Sequence, residues 1–181
     1  MATVLRTSEQ KSHLIPEVQQ SRGIHIRSAH LEDLERLGDL WLGQRQHHQQ
    51  WDDLYATSPR AQVKWKEQIH SALEQLNHCI FIAEDTQNKV VGYIHGSFYP
   101  WPFSPNKYYG SLNTIAIAEE VQGQGIGKKL VHKLLCWFKY QQINFISVHV
   151  DHRNWKALNL YQKVGFRAYQ HRLMLDLGSM G

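Results

Sequence analysis

Cysteine is nearly absent, with Cys79 and Cys136 the only two among 181 residues. Two thiols in apolar surroundings do not make a disulfide framework, and both are expected buried and free. Long apolar runs are missing too. None approaches the ~20 residues of a membrane-spanning helix, and no charged-then-apolar leader opens the chain, so a cytoplasmic location without a membrane partner is expected. Charge of one sign is also scarce: 20 Lys and Arg stand against 16 Asp and Glu, a net charge of +4. Those positive charges are too scattered to imply a nucleic-acid partner. Twelve histidines invite a metal hypothesis. The pairs His47 with His48 and His149 with His152 lack further convergent donors, so no metal is expected.

What is present is ordinary globular material, 42% hydrophobic and 20% charged, in a length suited to one domain. Residues 1–22 carry no sustained period and read as a tail, with some order around Leu14 to Val18 left open; residues 23–181 read as the domain. Ile24 and Ile26 alternate with polar neighbours as a first strand, and Leu34, Leu37, Leu40 and Trp41 mark the apolar face of a helix starting near Asp33. The segment QRQHHQQWDDLY that follows is either the end of that helix or a substrate loop. Ser58 and Pro59 signal a second helix through Trp65, Ile69, Leu73 and Leu76.

Ile80–Ala83 and Val90–Phe98, joined by EDTQNK, predict an antiparallel hairpin. Tyr99–Tyr109, holding Pro100, Pro102 and Pro105 among aromatics, reads as irregular. Later strands are predicted over Leu112–Ala118, Phe145–Val150 and Phe166–Leu177, with a helix at Asn154–Val164 capped by a left-handed Gly165.

The stretch from Asn113 to Gly127, NTIAIAEEVQGQGIG, organises the rest. An apolar strand breaks into a turn with alternating Gly123, Gly125 and Gly127, and Ile126, Leu130, Val131, Leu134, Leu135 and Phe138 then recur at helical spacing. A glycine turn at a helix N-terminus offers unpaired N–H groups to a phosphate or pyrophosphate. A Walker nucleotide site is excluded, because Lys128 and Lys129 stand where Lys and Ser or Thr are needed. The GxGxG spacing also fits a dinucleotide fingerprint poorly, although Asp151 follows a strand.

Gln122, Gly125 and Gly127 resemble the pyrophosphate loop of the GNAT superfamily of N-acetyltransferases, Gln or Arg, two residues, Gly, one residue, Gly or Ala. Downstream, Asn154, Ala157, Leu160, Tyr161, Lys163, Gly165 and Phe166 match the superfamily pattern N-x-x-A-x-x-L-Y-x-K-x-G-F without a gap. With IHIRSAHLEDLERL from Ile24, the resemblance covers about Gly23 to Leu177. It implies an α/β fold with a mixed, mostly antiparallel sheet of six to seven strands, about four helices and a splayed parallel strand pair at the coenzyme site.

The resemblance implies acetyl-CoA as co-substrate, with no metal, and direct attack of a primary amine of a small molecule or peptide on the thioester. Gln122, Gly123, Gln124, Gly125, Ile126 and Gly127 would hold the pyrophosphate with Lys128 adding charge. Ile115, Ala116 and Ile117 would bind the pantetheine arm through backbone groups, the Ile117 amide polarising the carbonyl. Asn154 would bond the same arm unless it only caps its helix, with Ala157 beside it, and Tyr161 would be the general acid. Many relatives carry a carboxylate base where Asn113 and Thr114 stand here, and neither of these accepts a proton at neutral pH, so no base is assigned: the candidates are a relayed water or one of His149, Glu84 and Asp85. Trp51, Asp52, Asp53 and Tyr55 suit an ammonium-bearing acceptor, or a plain surface turn. The resemblance is also compatible with a homodimer. Alternatives are a protein N-terminal or lysine acetyltransferase and a non-catalytic acyl-CoA-binding regulatory module.

Overall fold

The computed structural model describes residues 23–175; the expected tail lies outside them. Alternating Ile24 and Ile26 give β1 (His25–Ser28), and a 3-10 turn at Leu31–Asp33 leads into α1 (Leu34–Gln49), whose final turns absorb the QRQHHQ stretch. The second helix, α2 (Ala61–Glu74), starts later than Ser58 and Pro59 predict. Pro59 and Arg60 form a turn closed by the Ala61 N–H donating to the Ser58 carbonyl, and Arg60 takes the cap position. Strands β2 (His78–Glu84) and β3 (Val90–Pro100) form the predicted antiparallel hairpin. The Asp85 carboxylate accepts the backbone N–H groups of Gln87 and Lys89 across its turn.

The interval Tyr99–Tyr109 is more regular than its prolines suggest. β3 continues to Pro100 and β4 (Tyr108–Ile117) begins opposite it, so only residues 101–107 form a loop. Pro100 fits because it sits on the last rung, where a missing N–H interrupts nothing further. The chain ends with α3 (Ile126–Tyr140), β5 (Ile146–Val148) and α4 (Trp155–Lys163). Sheet order is β1-β2-β3-β4-β5, antiparallel except for the parallel β4–β5 pair.

The sheet therefore has five strands among the described residues, not six or seven, while the four α-helices match expectation. Residues 166–175 form no strand; Leu173 and Leu175 are exposed, and Leu177 lies outside the described residues. Alternation alone does not make a strand without hydrogen-bonding partners, and β5 presents only three residues as a template.

Two layers cover the sheet. On one face α3 buries Leu130, Val131, Leu134, Trp137 and Phe138. Gly96 permits this approach, since a Cβ there would lie 2.5 Å from Leu134 Cδ1. On the other face Trp41 of α1 stacks on Trp65 of α2 at 5.4 Å, and Trp65 meets the edge of Tyr93 at 5.8 Å.

A partly buried ion triad ties β1, the Leu31–Asp33 turn and β2 together. Arg27 donates both terminal nitrogens to Asp33, at 2.8 and 2.9 Å, and also bonds Glu84 at 2.6 Å. Burial alone would raise the Asp33 pKa, but the Arg27 hydrogen bonds and the His30 amide hold it below the usual carboxylate value. Arg27→Ala takes the guanidinium from two buried carboxylates, leaving Asp33 the His30 amide and Glu84 the nearby His25 ring, and an expected loss of about 3 kcal/mol follows in urea unfolding at neutral pH. Because the Asp33 pKa is depressed, its share of stability is present above the unfolded carboxylate pKa, about 4, and is lost as pH falls through the folded value. The gap between wild type and variant should close in that acid range.

Candidate active site

The parallel pair β4–β5 shares only three rungs, Gly110 with Ile146, Ser111 with Ser147 and Leu112 with Val148. Beyond Leu112 the strands diverge, and β4 runs on to Ile117 paired with β3 alone. Ala118 donates to Val91 on the β3 side, so by strand alternation the N–H and C=O groups of Ile115 and Ile117 face the fork. Their carbonyls are covered: Gln44 of α1 donates to Ile115, and Gln122 donates to Ile117 at 3.1 Å. What remains is the pair of backbone N–H donors at Ile115 and Ile117, on the five residues of β4 that run past the last shared rung.

The fork leads to the glycine turn. Gly123 and Gly125 both have φ of 81°, the left-handed region that favours glycine, and a Cβ on either would project into open space. Gly125 is the N-cap of α3, with Ile126, Gly127 and exposed Lys128 as its first turn. Gly127 is needed for packing, since a Cβ would sit 3.1 Å from Ile117 Cδ1 and 3.2 Å from Leu160 Cδ2. Its contact joins α3, β4 and α4 at the base of the fork. N–H groups at a helix start, the helix dipole and a nearby lysine such as Lys128 are groups that could hold a polyanion.

α4 carries Tyr161 at this junction. The Asn154 side chain accepts the Ala157 N–H at 3.1 Å and so caps the helix start. At the other end Gly165, at φ 104°, donates to Gln162 while Phe166 donates to Tyr161, the paired bonds of a Schellman cap. Phe166 then meets the Tyr161 ring at 5.7 Å, which locks its direction. Tyr161 is 6% exposed, and burial pushes its phenol up to about 12, so it holds its proton at neutral pH.

Two features escaped the sequence. On β3 and β4, His95, Ser97 and Tyr99 alternate beside Tyr109, Ser111 and Asn113, a polar signal at period two that the surrounding aromatics masked. A β-bulge between His95 and Gly96 leaves Asn113 as the unmatched residue of β4, at the apex of the fork. Its amide donates to Ser97 Oγ at 2.8 Å and lies 3.3 Å from His95 Nε2, while His95 Nε2 is 2.9 Å from His78 Nδ1. Tyr109 bonds Ser147 beside them. Burial, reinforced by His78, pulls the His95 pKa down to about 3.

The second feature is a clamp around Asp151. Arg153 bonds it through Nε at 2.9 Å and a terminal nitrogen at 2.7 Å, and reaches across to Asp52 at 3.2 Å and to the Trp51 carbonyl. Tyr55 donates to the same carboxylate at 2.9 Å. Arg153, above all, holds the Asp151 carboxyl well below the usual range. The α1–α2 connection is thus strapped to the β5–α4 loop, with Trp51 stacked on His48 and Arg45 over the Tyr55 ring. Asp52 is therefore committed to Arg153, and exposed Asp53 starts a 3-10 turn. Glu84 is paired with Arg27, Asp85 caps its turn, and His149 is exposed. Arg153→Ala is expected to leave the fold intact and speed limited proteolysis within residues 50–60, read by mass spectrometry.

Comparisons place this geometry. Among curated proteins, a mycothiol acetyltransferase of Saccharomonospora viridis is 25% identical over 103 residues, 55% of this chain and 33% of its own length. The uncharacterized N-acetyltransferase YobR of Bacillus subtilis is 36% identical over 58 residues, 32% of this chain and 24% of its own. The chain thus spans a third or less of the length of the curated relatives it matches. Among solved structures, a predicted acetyltransferase of Clostridium acetobutylicum with acetyl-CoA superposes with a TM-score of 0.68 at 18% identity, covering 86% of this chain and 97% of that one. An aminoglycoside acetyltransferase from an uncultured soil metagenomic sample gives 0.62 at 22% identity, covering 84% and 94%. These structures share the fold. The model of the Acetyltransferase (GNAT) family matches residues 42–166, spanning the glycine turn, the fork and Tyr161, and the chain belongs to that family.

Proposed function

We propose that this protein is an acetyl-CoA-dependent N-acetyltransferase acting on a primary amine of a small molecule. The observation that carries it is the fork, whose N–H row at Ile115 and Ile117 runs from the left-handed glycine turn towards Asn113. A phosphate-bearing thioester on an extended arm matches both parts. Gly123 to Lys128 would hold the pyrophosphate, and the Ile115 and Ile117 amides would hold the arm, the latter aligned to polarise the acyl carbonyl. Bound there, acetyl-CoA supplies an activated acetyl group. Tyr161 supplies the proton for the departing sulfur, and the Asn154 amide nitrogen, left over from capping, supports the arm.

The strap of Trp51–Tyr55 over the β5–α4 loop supports a small acceptor over an extended peptide. Calorimetry with acetyl-CoA, followed by thiol release across small amines and short peptides, tests this. Donor binding with turnover on a small primary amine is expected. Preference for peptides would move the acceptor to a protein substrate, binding without any turnover would indicate a regulatory module, and no binding would overturn the proposal.

A further inference from the structure

Amine acetylation releases a proton, and the fork itself shows where a group that takes it would have to stand. The last rung shared by β4 and β5 pairs Leu112 with Val148, so Asn113 and His149 are the first residues past it, one on each arm. Strand alternation fixes the faces they present. A Cβ on Gly110 would meet Phe138 of α3 and Ile146, which places Gly110, Leu112, Ile146 and Val148 on the α3 side. Val150 packs on the core as Ile146 and Val148 do, so the alternation of the β5 arm runs on through it. Ser147 and His149 therefore turn to the opposite face, where Tyr109 bonds Ser147 and Asn113 bonds Ser97.

The two residues flanking the mouth of the fork differ in what they can do. Asn113 spends its amide nitrogen on Ser97 Oγ and His95 Nε2, and an amide takes up no proton at neutral pH. His149 is exposed, and its ring makes no hydrogen bond or ion pair among the described residues. Imidazole is the side chain suited to exchanging a proton near neutrality. The other titratable groups on β4 and on the loop after β5 are engaged. Tyr108 packs its ring edge against Phe98, Tyr109 bonds Ser147, Arg153 and Tyr55 hold Asp151, and His152 lies 3.6 Å from Asp151. The strap that ties Asp52 and Tyr55 to Arg153 and Asp151 starts two residues beyond His149. Along the chain, His149 thus stands between the fork, which the proposed function gives to the thioester, and the strap, which it gives to the acceptor.

Resting on the function proposed above, we propose that His149 is the catalytic base, taking a proton from the acceptor ammonium as its nitrogen attacks the thioester carbon. The balance is complete. The ammonium gives one proton to His149, and its nitrogen bonds the acyl carbon as the C–S bond breaks. The sulfur takes the Tyr161 proton, and the second proton leaving the nitrogen restores the phenol through solvent. Exposed His149 then returns its proton to bulk water, so each turnover releases one proton and leaves both side chains as they began.

The test uses the whole protein, saturated with acetyl-CoA at pH 7, with ethylamine, benzylamine and glucosamine as probe acceptors. His149→Gln is expected to lower kcat ~100-fold, the size of a general-base contribution, while donor affinity by calorimetry and the melting curve stay as in wild type. His149→Ala should lose as much and regain roughly tenfold when free imidazole is added, since an exposed position admits a small base. His152→Gln, which changes the neighbouring exposed histidine, should stay within about twofold of wild type, well below a general-base loss. Wild-type kcat in His149→Gln, a loss in His149→Ala that imidazole does not relieve, or an equal loss in His152→Gln overturns the proposal. Wild type that binds no acetyl-CoA, or that turns over none of the three amines, strikes the function on which the proposal rests.

Discussion

Tyr161→Phe should lower turnover by ~10²-fold or more while acetyl-CoA binds as before, because the change removes one proton donor and no binding contact. The ring stays in place, since the Gly165 and Phe166 bonds that close α4 are made by backbone and the Phe166 contact needs only the aromatic edge. Stability should change by no more than about 1 kcal/mol, the scale of one hydroxyl. The phenol also makes an alkaline signature. Burial raises its pKa from 10.0 to about 12, so its contribution to stability is complete below the unfolded value and is lost as pH rises through the folded one. The Phe variant should lack that alkaline loss. Stopped-flow thiol release, donor calorimetry and alkaline melting curves check the three parts; a loss of donor affinity equal to the loss of rate would remove Tyr161 from the general-acid role.

Gly125→Asp separates fold from donor binding. Asp tolerates the left-handed region better than most residues, at roughly 1 kcal/mol, and a negative charge at the N-cap of α3 interacts favourably with the helix dipole. Melting should therefore move little. In front of the turn, where a Cβ on Gly125 meets nothing, the carboxylate enters the space that the proposed function gives to the pyrophosphate. Two like charges about 4 Å apart at an effective dielectric near 20 repel by about 4 kcal/mol, which corresponds to a ~10³-fold weaker dissociation constant. Calorimetry with acetyl-CoA and a parallel melting curve read both effects. Unchanged affinity would show that the turn does not hold the phosphates.

The parts legible in the sequence are those specified by neighbours along the chain. Gly123 and Gly125 announce a turn, Asn154 a helix start, and Gly165 a left-handed helix end, and each is closed within a few residues. The alternation of β1 and the hairpin across Asp85 are local in the same sense. The polar platform was hidden because it exists only across strands: Ser97 and Asn113 meet through pairing and a bulge that no period announces. Arg153 and Asp52 stand 101 residues apart, so their pairing was equally out of reach. The closing strand failed for the converse reason. Its alternation is present at Leu173 and Leu175, but a strand is a property of two partners.

The bulge at Asn113 divides β4 into two specifications written in different alphabets. Before it, Tyr109, Ser111 and Asn113 turn their side chains to the platform; after it the phase reverses, and the side chains of Ile115 and Ile117 turn to Gly127 of α3. The first half thus speaks through side chains and the second through its backbone, whose N–H groups are the same for any residue but proline. Substitutions at 109, 111 and 113 therefore change the polar face and leave the N–H groups at 115 and 117 as they are, and the two halves can be redesigned as separate parts of a single strand.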